Sequence, residues 1–293
     1  MLRRRAHNEA AILKAMSPAF ILKRPEYWNG GVIFASPHSG QIYPKSFVKT
    51  CRLSLSKLRK NEDIFIDRLF APATRYGAPL LSACFPRCFV DVNRAEDEVP
   101  SEWLPHGARS SARAEIGLGV VPTVIAQGQD MYLSPLSQDI AQQRLQALYH
   151  PYHDQVRSLI ATAKSTAGSA LLIDCHSMPG FSISGQRRPD IILGDRYGVS
   201  CRAETIDRIE KSFIQRGYNV ARNHPYAGGY VTSHYGRPNN GVEVLQIEIN
   251  RELYVNTATL KPNKSYDEFK TNLEVIIKDI IENAAPDMAV AAQ

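Results

Sequence analysis

Apolar residues gather in short runs separated by turn-forming residues. The runs at 31–36, 89–93, 170–174, 191–194 and 242–249 have the length of strands rather than helices. In the last run polar and apolar positions alternate. Val242, Val244, Gln246, Glu248 and Asn250 fall on one face, and Leu245, Ile247 and Ile249 on the other. Between these runs the spacing becomes helical. A helix is predicted from Asn61, an N-cap type of residue, to just before Gly77, which suits the position after a C-cap. A longer one covers about 139–164, with Pro151 marking a kink or break. A third covers 202–216 and stops at Gly217. The last starts at Ser265 with Glu268 at capping-box spacing, and sets Phe269, Leu273, Ile276, Ile277 and Ile280 on one face.

Strands alternating with helices predict an α/β fold in a single domain over 1–293. Its sheet would be twisted, mixed or mostly parallel, and flanked by helices on both faces. Sites in such folds collect beyond the carboxyl ends of the strands. Residues 94–129 carry charge and glycine with little periodicity, which suits a substrate-covering loop. The ends, 1–20 and 285–293, read as loosely ordered.

The 293 residues are 44% hydrophobic and 22% charged, the make-up of an ordinary globular protein. No apolar run reaches the length of a membrane span, and the basic start, Arg3 to Arg5, is not followed by a secretory apolar stretch. A net charge of +6 raises nucleic acid as a partner. The Lys and Arg residues are scattered, however, and a small acidic ligand suits a mildly positive chain equally well. Five cysteines without zinc-ribbon spacing read as reduced thiols of a cytoplasmic protein. GxxxxGK[ST], GxGxxG and GxSxG motifs are all missing, which argues against nucleotide cofactors and a serine nucleophile.

Candidate chemistry sits where strands end. His38 follows the first run within Ser36-Pro-His-Ser-Gly40, and Pro37 and Gly40 would hold a tight turn there. Asp174 and His176 alternate onto one face, and an aspartate can orient the second ring nitrogen of a metal-binding histidine. Two strand-end histidines favour shared metal ligation, with three protein ligands and an open position if the metal is catalytic. Glu62 and Asp63 are both candidates for a carboxylate ligand, though carboxylates in a first helical turn need no metal to explain them. Glu248 is costly to bury. Arg251 or Arg237 could pair with it, or it could serve as general base beside a metal. Arg87 and Arg94 flank the 89–93 run and suit carboxylate recognition, although Arg94 could equally pair with Asp91, Glu96 or Asp97.

Five segments in order resemble the N-formylglutamate amidohydrolase family, relatives of the zinc carboxypeptidases and aspartoacylases. They are Ser36-Pro-His-Ser-Gly-Gln-Ile-Tyr-Pro44, Glu62-Asp-Ile-Phe-Ile-Asp-Arg-Leu-Phe70, Pro86-Arg-Cys-Phe-Val-Asp-Val-Asn-Arg94, Leu172-Ile-Asp-Cys-His-Ser-Met-Pro179 and Leu245-Gln-Ile-Glu-Ile-Asn-Arg-Glu-Leu-Tyr254. The resemblance implies a phosphorylase/hydrolase-like fold with one Zn2+ held by His38, His176 and Asp63, Glu62 being the alternative. The carboxypeptidase-like glutamate ligand falls on Gln41 here, so the carboxylate has to come from elsewhere.

The same resemblance implies Glu248 as general base and Arg87 as oxyanion stabiliser. It implies Asn93, Arg94, Arg113 and His234 at the substrate, and a nearby loop, Asn223 to His234, whose Gly228-Gly229 pair would allow close backbone approach. The implied activity is hydrolysis of the N-formyl or other N-acyl amide of a small acidic amino acid. Rival expectations are a carboxypeptidase- or aspartoacylase-like deacylase on another amide, and a binding protein without catalysis.

Overall fold

The computed structural model describes residues 2–28, 30–125 and 128–284, with side chains from residue 9 onward. A seven-stranded sheet runs in the order β1-β3-β2-β6-β9-β7-β8. Its strands are β1 (Phe20–Lys23), β2 (Val32–Ser36), β3 (Leu80–Ala83), β6 (Ala170–Met178), β7 (Ile191–Gly194), β8 (Val220–Arg222) and β9 (Val242–Asn250), and β4 (Val124–Ile125) and β5 (Gln129–Asp130) form a separate hairpin. β2, β6 and β9 are mutually parallel, β7 runs against β9, and β8 is parallel to β7. The sheet is therefore mixed and mostly parallel, flanked by helices.

The helices are α1 (Leu2–Ala15), α2 (Lys45–Val48), α3 (Leu55–Arg59), α4 (Ile66–Leu69), α5 (Ala112–Glu115), α6 (Gln138–Arg144), α7 (His150–Ala167), α8 (Ala203–Ile214), α9 (Tyr230–Tyr235) and α10 (Tyr266–Glu282). Residue contacts fall into two interleaved units. One takes the N-terminal segment to Ile21 with Pro37–Glu62 and Ser82–Gln155. The other takes Leu22–Ser36, Asp63–Leu81 and the chain from Val156 onward.

The second unit holds the parallel strands and their main core. Leu171, Ile173 and Cys175 of β6 and Leu245, Ile247 and Ile249 of β9 pack with Ile206, Ile209 and Phe213 of α8 and Leu273, Ile276 and Ile277 of α10. Each such side chain contributes about 1.5–3 kcal/mol by leaving water. The opposite face of the same strands carries Asp174, His176, Gln246 and Glu248, all buried. Period-two alternation sorts core from chemistry, as the sequence pattern predicts for β9.

The first unit is built around Arg144. Its Nε donates to Glu9 Oε1 at 2.7 Å, its Nη1 donates to the Tyr132 hydroxyl at 2.7 Å, and its guanidinium lies 3.7 Å from the centre of the Phe89 ring. A buried arginine is tolerable only with such partners. Glu9 lies in α1, whose Ile12 is buried, as is Met16 just beyond it. Thus the segment expected to be loosely ordered over 1–20 forms a helix through Ala15. Residues 285–293 lie outside the described residues.

Four further expectations are corrected. The run 89–93 is no strand. Phe89 N and Val90 N both bond back to Pro86 O, which folds the segment into turns, and the neighbouring strand β3 lies earlier at Leu80–Ala83. The helix expected over 61–76 is broken into α4 and a 3-10 turn at Ala71–Tyr76. Phe65 has φ 64 and Pro72 interrupts the ladder, and only the left-handed Gly77 stop matches the prediction. Ser265 caps α10 by position but makes no side-chain capping bond. β6 is longer than its apolar run and continues through His176 to Met178.

Pro151 acts as expected on the long helical stretch, by a specific route. It has no N–H for the carbonyl one turn back, and a π turn at Leu145–Tyr149 separates α6 from α7.

Candidate metal centre and its surroundings

β6 and β9 lie in parallel register with His176 opposite Glu248 and Asp174 opposite Gln246. Neighbouring strands are about 4.8 Å apart, so these four side chains form one polar patch. The two ring nitrogens of His176 face two carboxylates, Nδ1 lying 3.0 Å from Asp63 Oδ2 and Nε2 3.0 Å from Asp174 Oδ2. Burial alone would lower the His176 pKa. The charge of Asp174, its hydrogen bonds to Asp174 and Asp63, and the charge of Glu248 overcome that and hold it well above the ordinary value. Asp63, Asp174 and Glu248 concentrate negative charge around the imidazole, a demand that a divalent cation would answer.

Asp63 is fixed on its other oxygen. Ser177 Oγ donates to Asp63 Oδ1 at 2.9 Å and Arg251 Nη2 does so at 3.1 Å, while Arg251 Nε donates to Ser177 Oγ at 2.9 Å. Glu62, the alternative carboxylate, is fully buried and taken by Arg59, with Nε to Oε1 at 3.0 Å and Nη2 to Oε2 at 3.3 Å. Glu248 Oε1 accepts from Gln246 Nε2 at 2.9 Å, and Gln246 Oε1 in turn accepts from Gly229 N at 2.9 Å. The Gly228-Gly229 pair thus brings backbone up to the glutamine that steadies Glu248.

His38 stands two residues beyond β2, whose parallel pairing with β6 runs to Ala35 opposite Asp174. Its Nε2 lies 2.7 Å from Asp91 Oδ1. The turn that carries it requires glycine at 40, because a Cβ there would sit 1.9 Å from Phe85 O. One ligand atom each from His38, Asp63 and His176 lies within 4.8 Å of the others, and all three residues are buried. Two imidazoles and a carboxylate are the donor set of a catalytic zinc site, and Asp91 and Asp174 behind the histidines are the usual orienting partners. The residues present fit such an ion.

Asp91 is the hub of the arginine-rich turns. Besides His38 it accepts from Arg87 Nη2 at 2.8 Å and from Asn93 N at 2.9 Å, with Arg94 Nη2 at 3.9 Å. Burial would raise its pKa, yet Arg87, His38 and Arg94 hold the carboxyl well below the usual range. Arg94 Nε donates to Leu118 O and its Nη1 to Asn93 O. Burial, then the nearby charges of Arg87 and Arg113, lower the Arg94 pKa against the pull of Asp91. Arg94, with the charges of Arg87 and Arg113 acting on it and Asp91 answering two of the three, belongs to a surface receptive to an anion.

The sequence candidates therefore divide. His38, Asp63 and His176 come together, with Glu248 beside His176 in register, and Arg87, Asn93 and Arg94 gather around Asp91, while Arg113 acts only through its charge on Arg94. His234 is exposed on α9, stacked on Tyr230 with ring centres 4.7 Å apart, and its other neighbours are Tyr235, Arg237 and Arg157. Arg237, offered as a partner for Glu248, donates to the Ser233 and Gly236 carbonyls.

Sequence reasoning gave Asp91 only to Arg94 and overlooked Gln246, Ser177 and Tyr226. Alternation along β9 carried a signal for Gln246, which shares a face with Glu248. Nothing local marks Tyr226, whose phenol burial and the charges of Arg188, Glu248, Arg251 and Asp63 perturb.

The chain belongs to the N-formylglutamate amidohydrolase family, whose model matches residues 30–255. It is similar to a solved N-formylglutamate amidohydrolase from Ralstonia eutropha JMP134, at 30% identity and TM-score 0.83, covering 90% of this chain and 97% of that one. It is also similar to an N-formylglutamate deformylase of Pseudomonas aeruginosa, 30% identical over 230 residues, 76% of this chain and 82% of the relative. One from Pseudomonas putida is 23% identical over 256 residues, 86% of this chain and 91% of that relative. A structure from Agrobacterium tumefaciens, 18% identical with TM-score 0.67, covers 93% of this chain and 98% of its own and shares the fold. Among the described residues no helix is long and apolar enough to cross a membrane.

Proposed function

We propose that this chain hydrolyses the N-formyl amide of a small acidic amino acid, N-formylglutamate above all, to formate and the free amino acid. The observation that carries the reading is the buried His38, Asp63 and His176 group with Glu248 in register beside His176. Family membership and the names of the relatives support the substrate class.

His38, Asp63 and His176 would hold one zinc ion through the atoms turned away from Asp91, Ser177 and Asp174. Zinc bound there supplies a Lewis acid that polarises the amide carbonyl and lowers the pKa of a water. Glu248, steadied by Gln246, accepts the proton of the attacking water and returns it to the leaving nitrogen. Arg87 donates to the oxyanion while Asp91 fixes its orientation. Arg94 anchors a substrate carboxylate, with Asn93 and Arg113 beside it, and so fixes the amide for attack. His234 is proposed to reach the substrate from the loop whose Gly229 N donates to Gln246 Oε1.

The test is a side-by-side assay of N-formylglutamate, N-acetylglutamate and a glutamate dipeptide. Formate release from the first should dominate. Preferential cleavage of either other amide would reassign the enzyme to the acylase or peptidase type, and cleavage of none would sink the reading.

A further inference from the structure

One cation at this edge of the sheet has no role in the scheme above. Arg188 closes the excursion between β6 and β7, where Phe181 and Arg187 form an isolated antiparallel bridge. Its main-chain N donates to Gly180 O at 2.8 Å, just past the end of β6. Its carbonyl accepts from Asn250 Nδ2 at 3.4 Å, at the end of β9. Its backbone is therefore tied beyond the carboxyl ends of the two strands that carry His176 and Glu248.

The side chain is held as firmly. Arg188 Nη1 donates to Pro179 O at 2.9 Å, and the guanidinium lies 5.4 Å from the centre of the Tyr226 ring. The charges of Glu248, Arg251 and Asp63 act on the Tyr226 phenol, which puts this pair within electrostatic reach of the two carboxylates.

The arginines nearest in kind have acidic partners: Arg59 has Glu62, Arg87 has Asp91, Arg144 has Glu9 and Arg251 has Asp63. Among the described residues Arg188 has none within ion-pair distance, and its buried Nε meets no acceptor. A guanidinium fixed by a carbonyl and an aromatic face, with its charge uncompensated, is preorganised for an incoming carboxylate. A diacid approaching Asp63, Asp174 and Glu248 would otherwise meet like charge.

We propose that Arg188, seated on the face of Tyr226, binds the side-chain carboxylate of the substrate and selects diacids over N-acyl amino acids with uncharged side chains. This rests on the amidohydrolase reading given above. A substrate with two carboxylates needs two cationic partners, and Arg188 is one of them.

The experiment measures KM and kcat of wild type, Arg188→Met and Arg188→Lys on N-formylglutamate and N-formylglutamine, with calorimetric binding of glutarate in parallel. Arg188→Met should raise KM for the diacid about 10- to 100-fold, the effect of losing a charged hydrogen-bonded contact, with kcat little changed. N-formylglutamine should shift less than about 3-fold, and Arg188→Lys should recover part of the loss, because ammonium keeps the charge but not the fork. Glutarate affinity should fall in step.

Equal losses on acid and amide, or no loss on either, would overturn the assignment. Should the wild type hydrolyse neither compound, the functional reading fails. Glutarate still decides Arg188 then, weaker binding to the variant upholding the carboxylate site and unchanged binding removing it.

Discussion

The paired strand ends of β6 and β9 and the turns from Pro86 to Arg94 both carry candidate residues, but they position them by different physics. On the strands, backbone register does the placing: Asp174 and His176 on one strand meet Gln246 and Glu248 on the next because the ladder leaves no alternative. In the turns no ladder exists, and one carboxylate, Asp91, gathers His38, Arg87 and the Asn93 amide. A site built on register should lose a function when a side chain is changed. A site built on a hub should lose its arrangement as well.

The largest effect expected tests what both regions serve. Dialysis against a chelator should abolish formate release, and zinc should restore it. Activity that persists after elemental analysis finds no metal would remove the shared centre and the comparison with it. Next is Glu248→Gln, on the strand side. It should lower kcat about 100- to 10,000-fold with zinc content and folding unchanged, since Gln246 and the ladder remain. Wild-type-like turnover would dismiss Glu248 as base.

The pair Asp91→Asn and Asp174→Asn sets the two regions against each other. Both should weaken zinc affinity by about 10- to 100-fold, as loss of a histidine's orienting carboxylate does. Only Asp91→Asn should also raise KM for acidic substrates and lower unfolding stability by about 1–3 kcal/mol, since it removes the acidic partner of half-buried Arg87 and the acceptor of the Asn93 amide. Matching stability losses in the two variants would erase the proposed difference. The smallest effect is expected from Tyr149→Phe, which deletes the hydroxyl bond to Arg94 O. It should cost about 1 kcal/mol in denaturant melts and raise KM mildly, with kcat intact.

The same contrast explains what could be read in the sequence. Period-two alternation gave β9 its two faces and put Asp174 with His176, because strand geometry is local. The α10 face and the Gly77 stop were legible for the same reason. The 89–93 segment misled because an apolar run of strand length was in fact folded back by turn bonds to Pro86 O, and an apolar run alone cannot report that. Glu62 and Asp63 are adjacent and chemically alike, so only their partners, Arg59 for one and Ser177, Arg251 and His176 for the other, distinguish them. Arg188 and Tyr226 lie far apart along the chain, and no spacing rule could have joined them.

The π turn at Leu145–Tyr149 has one more implication. On its N-terminal side Arg144 clasps Glu9, Tyr132 and Phe89. On its C-terminal side Tyr149 reaches Arg94 O, and His153 Nε2 meets Val92 O at 3.0 Å. A residue advances an α-helix by about 100°, but a π turn fits one more residue into nearly the rotation of an ordinary turn, so the extra residue is taken up between the two grips and both keep their facing. A helix that accommodates surplus length in this way behaves as a vernier: loss of one codon within the turn would leave an ordinary helix with its support unmoved, whereas one codon more would exceed the allowance and re-aim the support beneath the arginine turns.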